Sequence, residues 1–174
     1  MSTKANKATI QSFFEQAYNA GNVAVVDELI SPQAIDHTPA AVAVEKDSLE
    51  MSITLPATPE QVYTAWLSTE KHSAFTGSPA AVEAKVGGAF TAWDGYIGGT
   101  TLTLEPYHRI VQAWRTTEFP DDAPDSRLEI LIESAKGGTR LTLDHTGIPA
   151  GQADEYRKGW EDFYFGPLTA YFAR

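Results

Sequence analysis

The sequence has 174 residues, close to the length of one domain, and its 43% hydrophobic and 21% charged residues are typical of a globular protein. Its net charge of -10, from 23 acidic and 13 basic residues, disfavours binding to nucleic acids or to anionic membranes. No apolar run reaches the ~18 residues of a membrane span and the first residues are polar, so we expect a cytoplasmic protein.

Residues 1–43 have the spacing of two short amphipathic helices. In the first, apolar side chains recur three and four positions apart, at Ile10, Phe13, Phe14, Ala17 and Tyr18. Residues 19–22 end this helix, and the second runs to Ile30 before Ser31 and Pro32 stop it. Helices this short do not bury their apolar faces alone, so we predict a helical extension that docks on another surface.

A different pattern begins at residue 49. Apolar and polar residues alternate over residues 49–55, which predicts a half-buried strand. Thr58 followed by Pro59 predicts a helix start, because threonine caps a helix and proline fits its first position. The buried stripe of this helix would be Val62, Trp66 and Leu67, and a further helical turn is predicted over residues 68–75.

A series of short strands follows. They are predicted over residues 82–84, 90–93, 101–105, 109–118 and 126–133. Gly137 and Gly138 predict a hairpin turn into a last strand, on which Leu141, Leu143 and His145 share one face. Short consecutive strands of this kind predict an antiparallel sheet.

Residues 149–172 predict one long C-terminal helix. Its apolar stripe would consist of Tyr156, Trp160, Phe163, Tyr164, Pro167 and Tyr171. Pro167 is expected to kink it, since proline deletes a backbone donor. The order of elements over residues 44–174 predicts an α+β fold, in which a curved antiparallel sheet grips the long helix.

One helix covers only part of the apolar face of a curved sheet. The uncovered part predicts an internal cup for a small apolar molecule. Each aromatic residue on these faces also fits ordinary core packing. The predicted lining consists of Trp66, Phe75, Phe90, Trp93, Trp114, Glu118, His145, Trp160 and Tyr164.

Several motifs resemble one known family. They occupy residues 98–106, 109–115, 138–143, 146–149 and the helix 156–168 with its Gly159-Trp160 pair. This part of the chain, residues 48–174, is similar to the C-terminal domain of the activator of Hsp90 ATPase homologue family, within the START-like (SRPBCC) helix-grip superfamily. The resemblance implies the helix-grip fold and a chaperone as partner.

Residues 13–22, 26–29 and 35–37 resemble instead the opening of SnoaL-like polyketide cyclases. The similarity ends near Pro39, before the sheet that forms the pocket of that family, so no catalytic role is transferred to Asp36 or His37. Two roles remain open for this arm: docking on its own sheet, or forming a homodimer through a second copy.

The sequence shows little that predicts chemistry. It contains no cysteine, and its four histidines lack metal-ligand spacing, so neither a metal site nor a cofactor is predicted. His145 and Glu118 are the candidate acid and base of a cyclase or hydrolase, with a hydrogen-bonded core histidine and a solvated carboxylate as the alternatives. We rank apolar ligand binding first, ahead of a co-chaperone or an enzyme.

Overall fold

The computed structural model describes residues 46–174. The helices predicted within residues 1–43, the domain boundary after residue 43 and the dimer through that arm lie outside the described residues and stay predictions. Residues 46–174 form a seven-stranded antiparallel sheet in the order β1-β7-β6-β5-β4-β3-β2.

The elements follow one another as the alternation and the turn residues predict. The strands are β1 (Lys46–Leu55), β2 (Ala81–Val82), β3 (Ala89–Ala92), β4 (Ile97–Glu105), β5 (Arg109–Thr116), β6 (Ser126–Ala135) and β7 (Gly138–Pro149). The helices are α1 (Pro59–Leu67), α2 (Thr69–Thr76), α3 (Ala153–Trp160) and α4 (Gly166–Phe172), with a π-helical segment (Glu161–Phe165) between the last two. The predicted curved sheet with a helix at its C-terminal end is confirmed. None of the helices within residues 46–174 is long and apolar enough to cross a membrane.

Local chemistry explains where α1 begins. The Gln61 N–H donates to Thr58 Oγ1 at 3.2 Å, and the Thr58 N–H donates to Gln61 Oε1 at 2.8 Å. This reciprocal pair is a capping box, and it satisfies two backbone donors that the first turn of a helix otherwise leaves free.

One face of the sheet carries the core. Six of its central side chains are almost inaccessible to solvent: Ile110, Leu128, Ile130, Ile132, Leu141 and Leu143. Gly99 of β4 lets the Phe90 ring lie flat against the sheet, because a side chain at residue 99 would overlap that ring and the Ala113 carbonyl. Gly99 therefore serves close packing within the sheet.

The C-terminal helix departs from the sequence prediction at both its start and its middle. Pro149 is still part of β7 and pairs with Lys46, so the helix starts only at Ala153. Five residues before Pro167 adopt the wider π turn, which accommodates a residue without an N–H. The extra residue in this turn rotates Phe163 out of the predicted buried stripe, and its side chain is 53% exposed.

A cleft beside the C-terminal helix

A cleft opens between the C-terminal helix and the end of the sheet where β4 begins and β5 ends. Its volume is about 530 Å³, and it is open to solvent along one side. Its lining consists of Trp93, Tyr96, Ile97, Trp114, Thr116, Glu155, Tyr156, Lys158, Gly159, Trp160, Asp162, Phe163 and Tyr164. The volume falls within the range of about 300–1,000 Å³ that small-molecule pockets occupy, and most of the lining is aromatic.

The floor of the cleft is a cluster of interlocked rings. The Trp114 ring lies 5.3 Å from Tyr156 and 5.5 Å from Trp160 between centroids, and the Trp160 ring lies 4.6 Å from Tyr164. All four side chains are buried beneath the cleft surface. Edge-to-face and tilted contacts of this kind stabilise aromatic cores, so the floor of the cleft is continuous with the core of the protein.

The wall opposite α3 is held in an unusual backbone conformation. Trp93 and Asp94, between β3 and β4, both have φ of +54°, and Gly95 follows at +85°. Left-handed backbone at a residue other than glycine costs about 1–3 kcal/mol and is concentrated at functional sites. Here it turns the Trp93 indole across the cleft mouth, where its centroid lies 5.2 Å from that of Phe163.

Gly159 keeps the helical side of the cleft open. It lies within α3, its φ is not in the left-handed region, and a Cβ built on it would meet no atom within 4 Å. A glycine inside a helix costs about 1 kcal/mol relative to alanine. Neither the backbone nor close packing requires glycine here, so its effect in the structure is the space that it leaves in the cleft.

One end of the cleft is polar. The hydroxyls of Thr116 and Tyr156 lie 2.8 Å apart, and the Tyr96 hydroxyl donates to Glu118 Oε2 at 2.7 Å. Burial, followed by the hydrogen bond to Glu118, raises the pKa of Tyr96 to about 12. Both tyrosines are therefore neutral phenols at physiological pH.

A chain of hydrogen bonds runs through His145 beneath the floor of the cleft. Trp160 Nε1 can only donate, so its 3.3 Å contact makes His145 Nδ1 an acceptor and places the ring proton on Nε2. His145 Nε2 donates to Ser126 Oγ at 2.7 Å, and Ser126 Oγ donates to the Trp114 carbonyl at 2.6 Å. Burial lowers the pKa of His145 to about 3, so the imidazole is neutral and uses both nitrogens.

The candidate acid and base of the sequence analysis occupy different environments. His145 is fully buried, and its Ser126 partner donates its proton to a carbonyl, so this pair lacks the arrangement of a nucleophile with a general base. Glu118 is exposed in the turn after β5, bonded to Tyr96. Within residues 46–174, no group of three or more metal-binding side chains converges.

The nine predicted lining residues separate into three groups. Four line the cleft: Trp93, Trp114, Trp160 and Tyr164. Four lie in the core: Trp66, Phe75, Phe90 and His145. Glu118 lies beside the polar end without lining it.

Sequence reasoning missed three groups that shape the cleft. Tyr96 gave no periodic signal, because it lies in a turn. Thr116 lies two residues after Trp114 in the strand predicted over residues 109–118, so the alternation already placed it on the same face. Gly159 could have been found from the sequence, because a glycine within an amphipathic helix destabilises it and usually has a packing or functional role.

Comparisons with known proteins agree with the fold and the motifs. The family model described as "Activator of Hsp90 ATPase homolog 1-like protein" matches residues 56–173. Human activator of 90 kDa heat shock protein ATPase homolog 1 is 30% identical over 142 residues, which are 82% of this chain and 42% of the human protein. The chain therefore spans less than half the length of this relative.

Solved structures share the same architecture. An Hsp90 activator from Plasmodium falciparum superposes with a TM-score of 0.66 at 26% identity, covering 71% of this chain and 94% of the other. CalU16 from Micromonospora echinospora, at 23% identity and a TM-score of 0.59 over 72% of this chain and 78% of the other, shows the same fold. By its matching residues 56–173, this chain belongs to the activator of Hsp90 ATPase homologue 1-like family.

Proposed function

We propose that this protein binds a small apolar molecule with an aromatic ring in the cleft beside α3. The observation that carries the proposal is Gly159, a helical glycine that lines the cleft, that no contact requires, and whose Cβ position has no atom within 4 Å. A residue that weakens the helix and leaves a cavity is expected where the cavity is used.

The shape of the cleft supports a ligand with a flat apolar body. The rings of Trp114 and Trp160 supply its floor, and Trp93 and Phe163 meet at its mouth. The Trp93–Phe163 pair is held by a left-handed backbone on one side and a π turn on the other, so two irregular segments converge on one opening. Irregular segments of both kinds are enriched at functional sites.

The neutral fluorescent probe N-phenyl-1-naphthylamine tests the proposal with the full chain. We expect saturable fluorescence enhancement, and a loss of at least about tenfold in affinity for Gly159→Leu, because ~1.4 kcal/mol of lost apolar contact corresponds to a factor of ten. Ala170→Leu is the matched control, since residue 170 is exposed on α4 and outside the cleft. Equal probe affinity in wild type and Gly159→Leu, or no saturable binding, would overturn the proposal.

A second function, as a partner of an Hsp90-type chaperone, is favoured by the relatives. The human relative and the Plasmodium falciparum structure are both named as activators of Hsp90. The human protein is more than twice as long as the matched region, so the rest of its machinery has no counterpart in the alignment. We propose binding to the chaperone without assigning a surface for it.

Chaperone binding is tested with the full chain and a purified Hsp90-type ATPase. We expect co-elution and an increased ATP hydrolysis rate that saturates with the added protein. The same variant separates the two functions. If the chaperone binds a surface other than the cleft, Gly159→Leu weakens probe binding and leaves the ATPase stimulation unchanged. Neither co-elution nor stimulation at tens of micromolar protein would exclude the second function.

A further inference from the structure

The charged groups around the cleft are mostly acidic. Glu155, Lys158 and Asp162 line it from the helical side, and Glu118 lies beside its polar end. Lys158 lies three residues after Glu155 and four before Asp162, so its one positive charge is near both carboxylates. Three carboxylates against one ammonium leave a net negative charge around the cleft.

The Tyr156 hydroxyl lies within the field of both carboxylates. Its pKa is raised first by burial and then by Glu118 and Glu155, while the hydrogen bond with Thr116 acts in the opposite direction. Two carboxylates that both act on one buried hydroxyl give this end of the cleft a negative potential, which attracts cations and repels anions.

The nearest guanidinium on β5 is occupied elsewhere. Arg115 Nη1 donates to Asp125 Oδ1 at 3.1 Å and Nη2 donates to the Pro120 carbonyl at 3.3 Å, while the guanidinium lies 5.8 Å from the centroid of the Phe119 ring. The Arg115 guanidinium therefore binds acceptors in the loop that follows β5 and does not neutralise the carboxylates at the polar end of the cleft. The overall charge of -10 adds to the same sign at long range.

Aromatic faces and carboxylates are together the chemical complement of an organic ammonium. The negative face of an indole or phenol ring attracts a cation, and the attraction strengthens as water is excluded. Seven of the thirteen lining residues are aromatic: Trp93, Tyr96, Trp114, Tyr156, Trp160, Phe163 and Tyr164. A ligand with an anionic head, such as a fatty acid, would meet repulsion at the same place.

We propose that the ligand of this cleft carries a protonated or quaternary amine, with its apolar body on the Trp114–Trp160 floor and its positive charge between Glu118 and Glu155. The inference rests on the proposed function and adds the charge of the ligand to it.

Three probes of matched size test the charge with the full chain. They are benzyltrimethylammonium, its uncharged carbon isostere neopentylbenzene, and the anion phenylmethanesulfonate, each titrated by heteronuclear NMR at low and at 0.5 M salt. We expect the cation to bind about tenfold tighter than the isostere, as cation–π and carboxylate contacts provide, and the anion to bind weakest. The preference for the cation should shrink at high salt.

Charge variants locate the effect. Glu118→Gln and Glu155→Gln should each lower the affinity for the cation about threefold, as expected for exposed ion pairs. Neither variant should change the affinity for the isostere. Lys158→Met should raise the affinity for the cation by a similar factor. Glu60→Gln, on α1 and outside the cleft lining, is the control that should change neither probe.

The possible outcomes separate the two proposals. If the isostere binds in the cleft as tightly as the cation, the inference about charge is wrong and apolar binding stands. If neither probe shifts resonances of residues in the cleft, the proposed function itself fails. Tighter binding of the anion than of the isostere would also overturn the inference.

Discussion

Replacing Gly159 by alanine should make this protein more stable and its cleft smaller at the same time. The substitution adds one methyl group inside α3, at a position where the new Cβ meets no atom within 4 Å. The backbone of Gly159 is not left-handed, so alanine adopts it without strain. We therefore expect no steric penalty in the unliganded protein.

The size of the effect follows from helix propensity. Alanine is favoured over glycine inside a helix by about 0.8–1.0 kcal/mol, part of which comes from the reduced entropy of the unfolded chain. For a protein of this length, that gain raises the melting temperature by about 2–4 °C. Binding of N-phenyl-1-naphthylamine should weaken in the same variant, because residue 159 lines the cleft and the added methyl group takes up space beside it.

Gly166→Ala provides a matched comparison. Gly166 is also helical, at the start of α4, but it lies outside the cleft lining, and a Cβ there would sit 3.4 Å from the Glu161 carbonyl oxygen. This variant should gain at most the same stability and keep the affinity of wild type for the probe. Urea unfolding and fluorescence titration of the three proteins measure both quantities.

The reasoning would be refuted by either of two results. Destabilisation by Gly159→Ala would mean that the space beside residue 159 is filled in solution. Equal probe affinity in wild type, Gly159→Ala and Gly159→Leu would mean that the open position does not serve ligand binding.

Three further predictions concern the scaffold beneath the site. The folded pKa of His145, about 3, lies below its unfolded value of 6.5, so its contribution to stability is complete above about pH 6.5 and is lost as the pH falls toward 3. Urea unfolding at pH 7 and 5 should show a loss approaching about 1.4 kcal/mol per pH unit, and equal stability at the two values would contradict the buried neutral ring. Gly99→Ala should prevent folding or destabilise by more than about 4 kcal/mol, because its Cβ would overlap the Ala113 carbonyl; a circular dichroism melt like that of wild type would disprove this packing. Thr58→Ala should cost about 1 kcal/mol of unfolding free energy through the lost cap, which chemical denaturation measures, and no change would argue against the capping box.

Local signals predicted most elements of the described region. The alternation over residues 49–55 became β1, Thr58 and Pro59 marked the start of α1, and the Gly137-Gly138 turn joined β6 to β7. These predictions succeeded because each depends on a few neighbouring residues, a cap, or a turn conformation.

Predictions that depend on distant partners failed or were incomplete. Pro149 was expected to start the helix, but its pairing with Lys46, about a hundred residues away in the chain, keeps it in β7. The helical stripe placed Phe163 in the core, while the π turn before Pro167 turned it to the cleft mouth. A strict 3.6-residue period does not describe a helix that contains a wider turn.

The sequence by itself determined the fold class and an interior rich in aromatic residues, because apolar periodicity and turn chemistry are written locally along the chain. The family came from the resemblance of its motifs to known proteins. Only the tertiary structure decided which aromatic rings fill the core and which border open space. Trp66 and Trp160 gave the same signal in the sequence, yet only Trp160 reaches the cleft, since the Trp66 Nε1–H is directed to Gln112 within the core. A cavity is the space left after all side chains have packed, so no single segment of the sequence encodes it.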